Sequence, residues 1–335
     1  MPKHKYLIIF GLVIVIVALL VRQHAMLDKK IRVEGEPQKR SFSIFSALHP
    51  KNDADMASIL IDDEIEAKDE VIQTTTPPPL PQDGISAEAY VVGNLETGEI
   101  YMSKLPNSVF PIASVSKLYT SLIARHVMDP AKKVTITQRA LDAYGDAGHL
   151  VLGEMYSPTE LLYSLVLESS NDAAEAFAES YGYGEFMTQM NAFAEEIGMK
   201  NTSFRDASGL SPGNVSSAND LFAFSRYLYD YEKPLLEITR TREYSLATTT
   251  DHGSHRFVSI NPFTLNPYFL GGKTGRTNEA GESMVSLFHF RTAEKAYPIV
   301  IIVLRSRWSE READTGRLLE KFMASIGAEN VVPMR

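Results

Sequence analysis

The chain contains no cysteine. Disulfide frameworks, thiolate nucleophiles and Cys-ligated zinc are therefore excluded, while export to an oxidising compartment stays open. Long basic runs are also missing: 33 Lys and Arg stand against 42 Asp and Glu, a net charge of −9. A nucleic-acid partner needs a lysine- and arginine-rich face that releases counterions, so the composition argues against one. No internal repeat is visible. What is present, 44% apolar, 22% charged and 10% aromatic over 335 residues, is ordinary for a soluble enzyme of one large or two smaller domains.

Uncharged stretches are short except at the start, where Tyr6 to Val21 runs sixteen residues without a charge behind Lys3, His4 and Lys5. Residues 6–22 are expected to form a membrane anchor, somewhat short for the ~30 Å hydrocarbon layer but workable with its flanks. The lysines place residues 1–5 in the cytoplasm and the rest of the chain outside. The rival reading is a cleaved signal peptide and a secreted protein, but Arg22-Gln23-His24-Ala25 matches a small-x-small cleavage site poorly. Residues 23–84 read as a linker, acid-rich over 53–70 and then proline-rich at Thr74 to Pro81. A flexible tether of that length spans about 45 Å, enough to hold a domain away from a membrane.

Residues 85–335 read as the folded domain. Ala89-Tyr-Val-Val-Gly-Asn94, a turn and Ile100-Tyr-Met-Ser-Lys104 predict a β-hairpin. A helical run follows Pro111 to about Met128, and the pattern stays mostly helical from Ala131 to Glu243. Ser157-Pro-Thr-Glu160 has the form of a capping box with proline at the first helical position. Three strands close the chain, from about Tyr268, Ser283 and Tyr297, with a last helix over Asp314 to Ile326. The order predicts an α+β fold: an antiparallel sheet flanked by helices, with an inserted all-helical subdomain.

The chemistry concentrates in three short segments. In Ser114-Val-Ser-Lys117, positions i and i+3 share a helix face, so hydroxyl and amine are within reach. A serine hydroxyl needs a base, and a lysine becomes one when burial lowers its pKa. A helix start adds positive potential and free N–H groups where an oxyanion forms. Alone, the bland reading of a cap and a surface lysine is the commoner one. Ser169-Ser-Asn171 follows an apolar helix and can be a simple cap, or a proton relay with an amide for a substrate carbonyl. Lys273-Thr274-Gly275 lies in an apparent strand, where its lysine and hydroxyl can hold a carboxylate and its glycine admits a neighbouring backbone. The three motifs together, 55 residues from Ser114 to Ser169 and 102 from Asn171 to Lys273, make a strong joint signal.

On these motifs, with Ser170-Asn-Asp-Ala-Ala174, Asp206-Ala-Ser-Gly-Leu-Ser-Pro-Gly-Asn214 and Gly271-Gly-Lys-Thr-Gly-Arg-Thr-Asn278, the chain resembles the serine D-alanyl-D-alanine peptidases, the low-molecular-mass penicillin-binding proteins. The resemblance covers Ala87 to about Ile326. It implies the penicillin-binding protein and β-lactamase-like fold, with Ser114 as acyl-enzyme nucleophile, Lys117 as general base and Ser169 as proton relay. Asn171 would grip the peptide carbonyl, and Lys273, Thr274 and Gly275 would meet the terminal carboxylate. The N–H groups of Ser114 and Arg276 would form the oxyanion hole. Implied partners are peptidoglycan stem peptides ending in D-Ala-D-Ala, with β-lactams as inhibitors and neither cofactor nor metal. Two departures stand out. Ser170 replaces a common glycine and is expected to narrow the site, and the extra C-terminal β-domain of some relatives is missing. The shortened form resembles the endopeptidase branch, which cuts cross-links, as much as the carboxypeptidases.

Several signals are decoys. Gly209-Leu-Ser-Pro-Gly213 fits G-x-S-x-G, but Asn201 to Ala207 is no hydrophobic strand, so no nucleophile elbow is expected. Gly272-Lys-Thr274 ends like a phosphate loop, yet the required first glycine falls at Pro267. His252 and His255 have no third ligand in register and read as solvated loop residues. A class A β-lactamase shares the three motifs but needs a glutamate to activate water, and none lies between Phe204 and Asn214. A non-catalytic wall-binding or β-lactam-sensing membrane protein is the rival from another class. Failure of Ser114 to label with a fluorescent penicillin would favour it.

Overall fold

The computed structural model describes residues 83–145, 147–292, 295–327 and 332–333. The chain divides into two units, Met1–Thr75 and Thr76–Arg335. The tail, the anchor and nearly all of the linker read from the sequence lie outside the described residues. Among the described residues no helix is long and apolar enough to cross a membrane.

One antiparallel sheet organises the second unit. Its strands are β1 (Ala89–Asn94), β2 (Ile100–Lys104), β3 (Phe269–Thr277), β4 (Gly281–Arg291), β5 (Ala296–Ser306) and β6 (Val332–Pro333). The spatial order is β2-β1-β5-β4, and both β3 and β6 pair with the far side of β4. The sequence places all but β6. In β5 the run Pro298–Leu304 is buried on both faces, which is why it reads as continuous Val, Ile and Leu instead of an alternation.

Helices cover both faces. The last helix, Arg311–Ser325, sets Leu318 and Phe322 into a core with Phe288, Phe290, Ile299 and Ile301. Among the described residues the α-helices of eight or more residues are, in chain order, α1 (Ser116–Val127), α2 (Pro158–Leu167), α3 (Asn171–Tyr181), α4 (Tyr183–Glu196), α5 (Ala218–Tyr231), α6 (Lys233–Arg240) and α7 (Arg311–Ser325), with one short helix at Gln138–Leu141. On the opposite face α5 presses Phe222 onto β1: a Cβ on Gly93 would lie 2.6 Å from its ring. The segment read as mostly helical is interrupted by long loops over 142–157 and 197–217, and α7 begins at Arg311, three residues before the expected Asp314. The capping box forms as read: Ser157 Oγ accepts from Glu160 N, and the Glu160 carboxylate accepts from Ser157 N at 2.7 Å. Such a cap is worth about 1 kcal/mol to α2, whose C-terminal end delivers Ser169.

Candidate active site

Ser114 sits in a single 3₁₀ turn, Ala113–Val115, that runs into α1. Ala113 holds a left-handed φ of +48°, an uncommon conformation for a residue with a side chain. Its surroundings hold it there. Ala113 O accepts from Ser116 Oγ at 2.8 Å, Asn214 Nδ2 donates to Ser116 Oγ at 3.1 Å, and Gly209 packs so closely that a Cβ would stand 2.2 Å from Ala113 O. The Gly-Leu-Ser-Pro-Gly stretch is thus no elbow. It belongs to a loop, closed by Asp206 accepting from the N–H groups of Gly209 and Ser211, that braces the turn carrying Ser114.

Lys117 lies one turn on and is fully buried. Its Nζ is 2.9 Å from Ser114 Oγ and donates to Asn171 Oδ1 at 2.6 Å and to the carbonyl of Ser208. Burial pushes its pKa down to about 7, against the opposing pull of Asp206, Glu175 and Asp172. A neutral amine is therefore accessible at physiological pH, as the sequence requires of a base.

The other two motifs converge on the same place. Ser169 follows α2 with a left-handed φ of +63°, which turns the chain sharply into α3. Its Oγ accepts from Lys273 Nζ at 2.9 Å. Lys273 is also buried, and burial together with the nearby Lys117 and Arg311 cations holds its pKa well below the ordinary lysine value. β3 can approach the nucleophile turn because residue 275 is glycine: a Cβ there would lie 2.6 Å from Ile112 O and 3.1 Å from Ser114 N. Asn171 faces Lys117 with its carbonyl and donates its amide to Tyr144 O at 2.5 Å, so one N–H remains for a ligand.

A cavity of about 350 Å³ opens over these groups, lined by Ser114, Ser169, Ile260, Thr274, Gly275, Arg276 and Arg311. It holds three hydroxyls and two guanidinium-bearing residues but no carboxylate. Lys273 lies just beneath it. Such a site favours an anionic group, and a bound carboxylate would restore charge to Lys273.

Two expectations fail. Ser170 does not narrow the cavity: it is fully buried, caps α3 by accepting from Ala173 N at 3.1 Å, and lies against Gly148. His252 and His255 are not solvated. His252 is 5% exposed and stacks on Tyr156 at 4.9 Å, while His255 Nε2 lies 2.7 Å from Tyr156 Oη and 3.0 Å from Glu154 Oε2. The cluster ties the hairpin Glu243–Leu246/His255–Val258 to the segment before α2. It thereby positions Ile260, whose N–H donates to Leu167 O at 3.0 Å. Among the described residues no group of three or more His, Cys, Asp or Glu side chains could hold a metal ion.

Three contributors were not legible beforehand. Ser208 lends Lys117 only its carbonyl, and any residue type has one. Ile260 comes from a loop and Arg311 from the first position of α7, neither with a local signature. Arg311 Nη1 donates to Gly275 O at 3.2 Å and lies 3.9 Å from the buried carboxylate of Glu282.

The chain is similar to known proteins. Residues 72–307 match the family described as D-alanyl-D-alanine carboxypeptidase. The D-alanyl-D-alanine carboxypeptidase DacF of Bacillus subtilis (strain 168) is 30% identical over 242 residues, covering 70% of this chain and 61% of that protein. The D-alanyl-D-alanine endopeptidase of Escherichia coli (strain K12) is 32% identical over 231 residues, covering 67% of this chain and 72% of that protein. The crystal structure of penicillin-binding protein D2 from Listeria monocytogenes in its cefotaxime-bound form superposes with a TM-score of 0.61 at 29% identity, over 72% of this chain and 98% of that one. A D-alanyl-D-alanine carboxypeptidase structure from Mycobacterium tuberculosis H37Rv shares the fold at a TM-score of 0.65, with 24% identity, over 77% of this chain and 97% of that one. The family match spans most of the described chain and includes all three motifs that meet at Ser114, so the chain belongs to the D-alanyl-D-alanine carboxypeptidase family of serine peptidases.

Proposed function

We propose that the protein is a serine-type D-alanyl-D-alanine carboxypeptidase that trims peptidoglycan stem peptides and is inhibited by β-lactams. The observation that carries this reading is the fully buried Lys117 amine 2.9 Å from Ser114 Oγ, where Ser114 lines a cavity whose charged residues, Arg276 and Arg311, are both cationic. Ser114 Oγ attacks the carbonyl between the two D-alanines while neutral Lys117 takes its proton. The N–H groups of Ser114 and Arg276 receive the developing oxyanion. Lys273, Thr274 and Arg311 hold the terminal carboxylate, and Ser169, bonded to Lys273, hands its proton to the departing amine as the C–N bond breaks and is reprotonated by the Lys117 ammonium, which is left neutral again. Water, activated by Lys117 in turn, releases the shortened peptide.

Residues 6–22 would tether the enzyme to the outer face of the cell membrane, with residues 23–84 as spacer. The support for that placement is the uncharged run behind three basic residues. A second reading, cleavage of D-alanyl cross-links, is favoured by the name of the Escherichia coli relative. Mass spectrometry of muropeptides after digestion separates the two. Loss of one alanine from pentapeptides is the expected result, and conversion of dimers to monomers without it would replace the carboxypeptidase by an endopeptidase.

Penicillin is expected to acylate Ser114 and stay. A β-lactamase needs a carboxylate beside the acyl group, and the cavity lining has none. Asp206 is occupied by backbone N–H groups, and Glu175 is engaged by Ser208 and Tyr183, with its pKa pushed up chiefly by burial. Intact-mass measurement after removal of free drug should still show the penicilloyl adduct. Prompt return to the unmodified mass would make this protein a β-lactamase.

A further inference from the structure

Beyond Arg276 the site continues. The only tryptophan of the chain, Trp308, is 53% exposed, an unusual position for so large an apolar ring. The Arg276 guanidinium lies over it, 5.5 Å from the ring centroid. Arg276 lines the catalytic cavity, and Trp308 lines a second cavity of about 340 Å³. Asn278, Arg305 and Arg307 also line that cavity, with Glu88 as its one carboxylate. Glu88 pairs with Arg305 at 3.1 Å, both side chains about half exposed, a contact weak enough for a ligand to displace. The carboxylate of Glu282, 2% exposed, lies 4.0 Å from Arg276 and 3.9 Å from Arg311, the two cations that line the catalytic cavity.

We infer that the cavity between Trp308 and Arg305 is a substrate subsite for an anionic peptide, the carboxylate-bearing stretch upstream of the scissile bond. The inference rests on the carboxypeptidase reading for direction. If Lys273 and Thr274 hold the substrate's C-terminus and Ser114 its scissile carbonyl, the upstream residues leave along β3 past Arg276, which leads to Trp308. The aromatic face and the stacked guanidinium cover the peptide backbone, and Arg305 and Arg307 meet its carboxylate. The subsite would make the enzyme prefer whole stem peptides to bare D-Ala-D-Ala ends.

Two measurements on the full chain test this. The first compares kcat/KM for a stem pentapeptide with free upstream carboxylates against the same peptide with those groups amidated. Trp308→Ala and Arg305→Gln should each lower kcat/KM for the anionic peptide about 5- to 10-fold and leave that for the amidated one within twofold. Equal losses on both peptides, or none, overturn the subsite. The second needs no turnover. The lone tryptophan reports its own surroundings, so a tripeptide with the same carboxylates but no D-Ala-D-Ala should change its fluorescence saturably. Arg305→Gln should shift that titration to higher concentration by the same factor. An identical response to the amidated tripeptide overturns the proposal even if the wild type hydrolyses neither pentapeptide, a result that would count against the carboxypeptidase reading instead.

Discussion

Ser114→Ala protein is expected to lose hydrolysis of D-Ala-D-Ala peptides by at least about 10⁴-fold and to take up no fluorescent penicillin. Of the neighbouring serine hydroxyls, Ser169 Oγ is engaged by Lys273 and Ser116 Oγ by Ala113 O. The fold should survive. Ser114 is half-buried, and the change removes one hydrogen bond, to Lys117 Nζ, worth about 0.5–1.5 kcal/mol. Thermal unfolding should therefore shift by a few degrees at most. Substantial hydrolysis by this variant, alongside an unchanged melting curve, would reject the covalent mechanism.

Lys117→Met should separate activity from stability. Removing the base lowers kcat/KM about 10²- to 10⁴-fold. In the wild type, kcat/KM should climb with pH through about 7 as the buried amine loses its proton, then level off, and the variant should lack that limb. Stability moves the other way. The folded-state pKa is about 7 against the ordinary lysine value of 10.5, so between those values the unfolded chain binds a proton that the folded chain does not. Above about 10.5 both states are neutral and the burial costs nothing. As pH falls toward 7 the penalty grows, and below 7 it is fully present, on the order of 4 kcal/mol. Methionine removes that penalty but leaves Asn171 Oδ1 and the Ser208 carbonyl short of a donor, at about 1–3 kcal/mol. The net is a gain of about 1–3 kcal/mol near neutrality. Melting temperatures between pH 6 and 10 would show it, with the variant's advantage shrinking as pH rises. A variant less stable than the wild type at pH 7 would mean that Lys117 is comfortably charged in the folded state.

The trade between the two follows from what a base in a dry site requires. A lysine in water would be the more stable residue and a useless catalyst, and the protein carries the cost where the chemistry needs it.

The sequence by itself determined a good deal. Periodicity gave the hairpin β1–β2, the closing strands β3, β4 and β5, and the last helix, because a sheet core needs apolar runs of strand length. The spacing of Ser114 and Lys117 sufficed to put a hydroxyl and an amine on one face, since helical geometry is local. The family's motifs named Ser169, Asn171, Lys273, Thr274, Gly275 and Arg276; the structure brings Ser169, Thr274, Gly275 and Arg276 to the lining of one cavity, with Asn171 bonded to Lys117 and Lys273 to Ser169. Tertiary structure decided what local rules cannot reach. How far Lys117 is desolvated depends on elements from three parts of the chain closing over it. Ser170 turns into the helix and not the cavity because its hydroxyl caps α3. His252 is buried and His255 half-buried because the hairpin that carries His255 docks on Glu154 and Tyr156, far away in the chain. Arg311 reaches the cavity only because the packing of β5 and α7 brings the start of α7 beside Gly275. Each of these is a contact between residues far apart in the chain, where side-chain type alone carries no information about the partner.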